Sequence, residues 1–164
     1  MRDMTTAHFA VRLATAADAP ILARHRVEMF RDMDRCTGEV GEVLRATAEP
    51  MIREWLAAGT YIGFLAVPAG GTEIAGGAGI QVRPLLPRPS DDGASLVPGP
   101  EAYVLNVFVE RAWRRRGVAR LLMGRVLAWV EEHGIVRCTL HPSAEGRPLY
   151  ESLGFKPTSE MRLP

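Results

Sequence analysis

The sequence predicts a mixed α/β architecture of the α+β kind, with helices packed on a mixed sheet, and three observations support it. The element order is one strand, two helical stretches, then several strands interrupted by one long helix. The stretch Tyr103 to Leu122, YVLNVFVERAWRRRGVARLL, joins a strand-like run to an amphipathic helix through a turn loaded with arginine. A further strand-like run follows that helix after Gly134, and so short a return gives a strand-helix-strand unit with parallel pairing.

The chain of 164 residues fits one domain, residues 1–164, large enough to bury a substantial core. Hydrophobic residues at 47% and charged residues at 24% exclude a disordered chain. A net charge of +1 gives no global attraction to nucleic acid or to a membrane, so an anion site must come from local clustering. Cys36 and Cys138 lie far apart and form no CxxC or Cys/His pattern, which argues against a disulfide framework and against a metal site. The N-terminal MRDMTTAHFAVRL has no apolar run suited to a signal peptide or membrane span, so a cytoplasmic protein is expected.

Alternation over His8 to Leu13 predicts a first strand with Phe9, Val11 and Leu13 on one face. Ala14 to Pro20 reads as a helix start, with Thr15 three residues before Asp18 as a capping arrangement and Asp18 an equally good cap for a helix carrying Pro20 in its first turn. The helix from Ile21 to Met33 has a polar side of Arg24, Glu28, Arg31, Asp32 and, beyond it, Arg35. Asp34 to Gly41 reads as a loop, and Thr47 to Ala58 as a second helix stopped by Gly59, with Met51, Ile52, Trp55 and Leu56 at helical spacing. Tyr61 to Val67 and Ile74 to Val82 form a hairpin around the glycine-rich Pro68 to Thr72. Gly76, Gly77 and Gly79 mark a bulge or close backbone packing.

Arg83 to Pro100, broken by five prolines, reads as a surface loop, with a flap over a substrate site and a proline-rich ligand as sharper alternatives. After the strand Tyr103 to Val109, the helix from Gly117 to about His133 sets Val118, Leu122, Val126 and Val130 along one ridge, with Leu121 and Trp129 beside it. Ile135 to His141 is the next strand. A short helix carries Leu149, Tyr150 and Leu153, its start confined to Gly146 or Arg147 by Pro148, and Phe155 to Leu163 is expected to add a final strand.

The arginine-rich turn has the chemistry of an anion cradle. The first amides of a helix lack intrahelical acceptors, and the helix dipole adds partial positive charge there. Gly117 keeps no side chain between backbone and ligand, Ala119 is nearly as small, and Arg114, Arg115, Arg116 and Arg120 surround the site with charge. A pyrophosphate suits such a surface.

Arg114-x-x-Gly117-x-Ala119 after a strand ending in Val109 resembles the acyl-CoA-binding motif of the GNAT superfamily, the GCN5-related N-acetyltransferases. Leu149-Tyr150-Glu151-Ser152-Leu153-Gly154-Phe155 resembles the Leu-Tyr-Glu-x-x-Gly-Phe signature near the C-terminus of many members. The resemblance is strongest from Tyr103 to Phe155, and before Tyr103 it rests on element order. It implies a GNAT fold, with a mixed central sheet of about six to seven strands flanked by about four helices. It also implies an N-acetyltransferase that carries acetyl from acetyl-CoA to a primary amine by direct attack, or a silent acyl-CoA-binding sensor or partner module of the same fold. No metal is implied, and a homodimer is left open.

By the same resemblance, the backbone from Arg115 through Gly117, Val118 and Ala119 to Arg120 would hold the CoA pyrophosphate. The strand edge at Asn106, Val107, Phe108 and Val109 would pair with the pantetheine arm, a bulge turning an amide near Val107 or Phe108 toward the thioester oxygen. Tyr150 matches the family tyrosine near the sulfur, suited to protonate a departing thiolate. Ser143 and Arg147 lie close to the expected CoA path, although Ser143 stands in the neighbourhood where relatives commonly have asparagine. Asn106, the only asparagine in the chain, is read as a substrate contact or as a residue satisfying a local bulge. Ser143 is equally a helix-start serine.

A base must take the proton of the acceptor ammonium, and Glu28, Asp32, Glu101 and His141 are the candidates, each also explicable as a local charge partner. Glu28, Asp32, Asp34, Glu39 and Glu42 would favour a cationic acceptor unless Arg31 and Arg35 neutralise them. A nucleic-acid site at the arginine run is disfavoured because the chain lacks an aromatic-basic platform and net positive charge.

Overall fold

The structure, a computed structural model, describes residues 8–164. Residues 1–7, part of the stretch read above as lacking an apolar leader, lie outside the described residues. Strand β1 (Phe9–Leu13) leads into α1 (Ala19–Asp32) and α2 (Gly38–Ala58). The hairpin β2 (Tyr61–Pro68) and β3 (Gly76–Arg83) follows, then the short β4 (Arg88–Pro89) and β5 (Leu96–Val97), β6 (Glu101–Val109), α3 (Val118–Glu132), β7 (Arg137–Leu140) and α4 (Arg147–Ser152).

The main sheet has the order β1-β2-β3-β6-β7, with β4 and β5 in a separate ribbon. Every neighbour in the main sheet is antiparallel except β6 and β7, the parallel pair that the crossover through α3 required. The mixed sheet and four helices agree with the architecture expected from the sequence, while the main sheet holds five strands rather than about six to seven, because β4 and β5 pair apart from it and no strand follows α4.

Each face of the sheet buries its own cluster. On one face the ridge Val118, Leu122, Val126 and Val130 of α3 is buried against Phe64, Ile80 and Val104. On the other, Leu22 and Ala23 of α1 and Ile52 of α2 pack with Tyr61 and Leu65. Fully burying a large aliphatic or aromatic side chain contributes about 1.5–3 kcal/mol, so these two clusters fix which face each helix covers.

Several boundaries differ from the sequence reading. Helix α2 starts at Gly38 rather than Thr47, shortening the expected loop, because Gly41 lets α1 approach: a Cβ there would come 2.8 Å from Arg31 Nη2 and 3.2 Å from Val27 Cγ1. Leu13, still paired with Phe64 as the last residue of β1, is 53% exposed rather than joining Phe9 and Val11. Residues of the irregular 83–100 stretch form the β4–β5 ribbon. The final strand expected over Phe155 to Leu163 is a correction: no strand is assigned there, and Met161 and Leu163 project into solvent. Without alternating burial, nothing holds that segment in a ladder.

Candidate functional site at the β6–β7 divergence

Strands β6 and β7 pair only from Glu101 opposite Arg137 to Val104 opposite Leu140. Beyond Val104, β6 continues to Val109 with no β7 partner, leaving one backbone edge of Leu105 to Val109 open. The register with β3 shifts over the same segment, Gly79 facing Leu105 but Gly77 facing Phe108. One residue is therefore extra on β6, and Asn106 takes it up with φ of 55° in the left-handed region that asparagine tolerates. The bulge changes the phase of the strand: Val104 and then Val107 face the α3 cluster, while Leu105 packs with the α1–α2 cluster and the Phe108 ring meets His25 of α1.

Asn106 is 2% exposed and its amide is satisfied by protein: Nδ2 donates to the Tyr61 hydroxyl at 3.0 Å, and Oδ1 accepts from Arg26 Nη1 at 2.7 Å. Burial pushes the Tyr61 phenol up to about 12, against the Asn106 hydrogen bond and the Arg26 charge. Gly79 makes room for this relay, because a Cβ there would lie 2.1 Å from the Tyr61 oxygen. Gly77 does the same for His25, whose Nδ1 would be 3.0 Å from an added Cβ. The glycines of β3 therefore serve both a register shift across the strand and close packing over it.

Among the described residues, the turn before α3 leaves a run of backbone amides without protein acceptors. Arg115 and Gly117 both have positive φ, 63° and 78°, which turns successive amides toward one side. No side chain caps the helix, and among the described residues no backbone amide from Arg115 to Arg120 donates to a backbone acceptor outside it. A Cβ on Gly117 would meet nothing within 4 Å, so its conformation rather than crowding by protein requires glycine.

The arginines divide by role. Arg114 is tied to the protein: Nε donates to the Val109 carbonyl at 3.0 Å and Nη2 pairs with Asp32. Arg116 lies over the Trp113 ring, and Arg120 Nη2 donates to Ser152 Oγ at 2.8 Å, joining α3 to α4. Arg115 has no side-chain partner among the described residues and is exposed.

Tyr150 on α4 packs against the α3-side cluster and edge-on to Phe155, and burial raises its phenol above the ordinary value. Ser143 Oγ accepts from the Gly146 amide at 3.1 Å, the helix-start role, and Arg147 pairs with Glu151 on the surface.

Of the candidate bases, Glu28 pairs with Arg31, Asp32 with Arg111 and Arg114, and the nearly buried Glu101 with Arg137 and Thr139. His141 follows β7 at the divergence, with Nδ1 2.7 Å from the Tyr103 hydroxyl and Nε2 2.8 Å from Glu160.

Two groups of residues were not singled out by sequence reasoning. One is Tyr61 and Arg26, the partners of Asn106. The other is Glu110, held by Arg24 and by His25 Nε2 at 3.1 Å. Burial pushes the Glu110 carboxyl up, but Arg24 and His25 together bring it below its usual value. The signal was present in Gly77 and Gly79, because a strand without side chains must be covered by something from another element. A cleft of about 460 Å3 lies beside this group, bordered by Ile21, Arg24, Glu28, Phe108, Glu110 and Trp113. It also borders Glu73 and Ile74, before β3, so it opens on the β3 side of β6 and not at the free edge.

Among the described residues no helix is long and apolar enough to cross a membrane, and no cluster of three His, Cys, Asp or Glu is placed to hold a metal.

No curated protein sequence matches this chain. Among solved structures, a GCN5-related N-acetyltransferase from Ralstonia eutropha JMP134 is 32% identical over 96% of this chain and 98% of that one, with a TM-score of 0.78. A predicted acetyltransferase from Clostridium acetobutylicum, solved with acetyl-CoA, is 22% identical over 95% of each chain, TM-score 0.77. Glucosamine-6-phosphate N-acetyltransferase from Arabidopsis thaliana shares the fold at 13% identity, covering 96% of this chain and 97% of its own, TM-score 0.64. The sequence model of the acetyltransferase (GNAT) family matches residues 26–155, from within α1 to just past the Gly154 turn, and with that match the chain belongs to the GNAT family.

Proposed function

We propose that this chain, acting as one domain over residues 1–164, is an N-acetyltransferase that moves the acetyl group of acetyl-CoA directly onto a primary amine. The observation that carries the reading is the open edge of β6 from Leu105 to Val109, beside a run of unsatisfied amides at the start of α3. A cosubstrate with a pyrophosphate at one end and amides along its arm satisfies both features. The open space over Gly117 and the bulge at Asn106 fit such a molecule.

In this reading the amides of Arg115 to Arg120 hold the pyrophosphate, with Arg115 adding a free charge. The edge Val107 to Val109 binds the arm like an extra strand, and an amide at Val107 or Phe108 stabilises charge developing on the thioester oxygen. Asn106 holds the bulge and Arg26 in place. Tyr150 retains its proton at neutral pH and gives it to the departing thiolate. The reaction balances as one C–N bond formed and one C–S bond broken: the ammonium gives up two protons, one leaving through a base to solvent and the other restoring the Tyr150 phenol after it has protonated the sulfur. His141, at the divergence and bonded to Tyr103, is the base best placed by position to receive the amine proton.

Calorimetric titration with acetyl-CoA, followed in the same sample by thiol release against an amine panel, tests this. Binding with turnover supports it. Binding without turnover on a broad panel favours a silent acyl-CoA sensor, and no binding at millimolar acetyl-CoA removes the reading.

A further inference from the structure

Charges along α1 and the turn after it are unevenly matched. Arg24 pairs with Glu110, Arg31 with Glu28, and Asp32 with Arg111 and Arg114. Arg26 and Arg35 make no ion pair among the described residues. Their guanidinium carbons lie over the same ring, that of Phe30, at 5.1 and 5.7 Å from its centroid. Two guanidinium charges gathered at one ring with no carboxylate paired to either raise the local positive potential, which favours an anion bound beside Phe30.

Arg26 is also anchored at the bulge, through its bond to Asn106 Oδ1. That bond uses one of the five donors of a guanidinium and leaves the remainder for a ligand. Arg35 is exposed, with its guanidinium at the same ring.

Resting on the acetyl-transfer reading above, we propose that the acceptor is an amine that also carries an oxyanion, a carboxylate or a phosphate, held by Arg26 and Arg35 while its amino group faces the bulge. Guanidinium forks match both anions in geometry and charge. This reverses the expectation that acidic residues of this region select a cation. Glu28 and Asp32 are already neutralised by arginine, and Asp34, Glu39 and Glu42 are exposed, where salt screens charges over about 8 Å.

The test uses matched pairs of amines, read by thiol release from acetyl-CoA. Free amino acids are set against their carboxamides, and O-phosphoethanolamine against ethanolamine, so the two arms separate carboxylate from phosphate. The oxyanion member of one arm should lead its partner by about tenfold or more in kcat/KM, as loss of a charged hydrogen bond predicts. Arg26→Gln and Arg35→Gln should each shrink that lead through KM, and Arg26→Lys should retain part of it. Arg35→Gln, at an exposed site, keeps the test decisive should Arg26→Gln fail to fold. Equal or better use of the neutral partners, or a preference that survives Arg26→Gln/Arg35→Gln, overturns the proposal. If no member is turned over, calorimetric binding of the same pairs to the CoA-loaded protein decides on the same terms, and binding indifferent to the oxyanion overturns it. Absence of acetyl-CoA binding removes the acetyl-transfer reading and this inference together. Acetyl-CoA binding and turnover indifferent to the oxyanion remove this inference alone.

Discussion

Tyr150 and Gly117 act through different physical quantities, and their substitutions separate them. The phenol of Tyr150, raised by burial, has a proton to give throughout the neutral range. Tyr150→Phe should lower kcat by about 10²- to 10⁴-fold while the KM of the amine changes little, as for loss of one positioned proton donor. Unchanged thiol release with a confirmed acceptor would reject that role. Gly117 contributes its backbone. Gly117→Ala meets no neighbour but forces an L residue to φ of 78°, at a cost of roughly 1–2 kcal/mol in stability. Gly117→Asp adds negative charge where phosphate is expected. It should weaken acetyl-CoA binding more than Arg115→Ala does, and calorimetry with the three variants checks the order.

At the scale of elements, the β3–β6 pair governs the site. Gly79→Ala would put a methyl 2.1 Å from the Tyr61 oxygen, at the buried end of the relay where Tyr61 meets Asn106. The expected cost is at least the roughly 1–3 kcal/mol of ordinary overpacking, visible as a lowered Tm. An unchanged Tm would mean that Tyr61 can leave Asn106 without penalty. Much at this scale was legible in the sequence: the ridge of α3, the parallel return to β7 and the Gly117 turn each follow from local periodicity or a local backbone need. The start of α2 was hidden because Gly38, Gly41 and Pro50 are poor helix formers, and only Gly41 is explained by close packing against α1. The partners of Asn106 were hidden for another reason. Tyr61 and Arg26 reach it from elements 45 and 80 residues away, and no local pattern encodes such a meeting. The open edge was expected at Asn106 to Val109 through family resemblance, and the structure opens it from Leu105, since periodicity cannot say where two paired strands part.

At the scale of the whole molecule, stability in mild acid depends on a histidine placed where it cannot easily become charged. His25 is fully buried between α1 and the sheet, with Nδ1 unpartnered and Nε2 on Glu110. Burial pushes its pKa from 6.5 down to about 4, against the attraction of Glu110 and helped by repulsion from Arg24. The neutral ring therefore carries its proton on Nε2 and donates it to Glu110. As pH falls below 6.5, the unfolded chain takes up a proton that the folded chain refuses, so stability drops until about pH 4 and then levels for this group. Two and a half units correspond to a loss on the order of 3 kcal/mol across that window. Glu110, held below its usual value, adds a loss of the same sign only at lower pH, as its own carboxyl protonates. Urea denaturation at pH 7.5, 6 and 5 should therefore show falling stability in the wild type. His25→Gln keeps an N–H for Glu110 but has nothing to titrate, so it should be less stable at neutral pH and show a flatter profile. A slope between pH 6.5 and 5 that survives His25→Gln would assign the acid sensitivity to other groups.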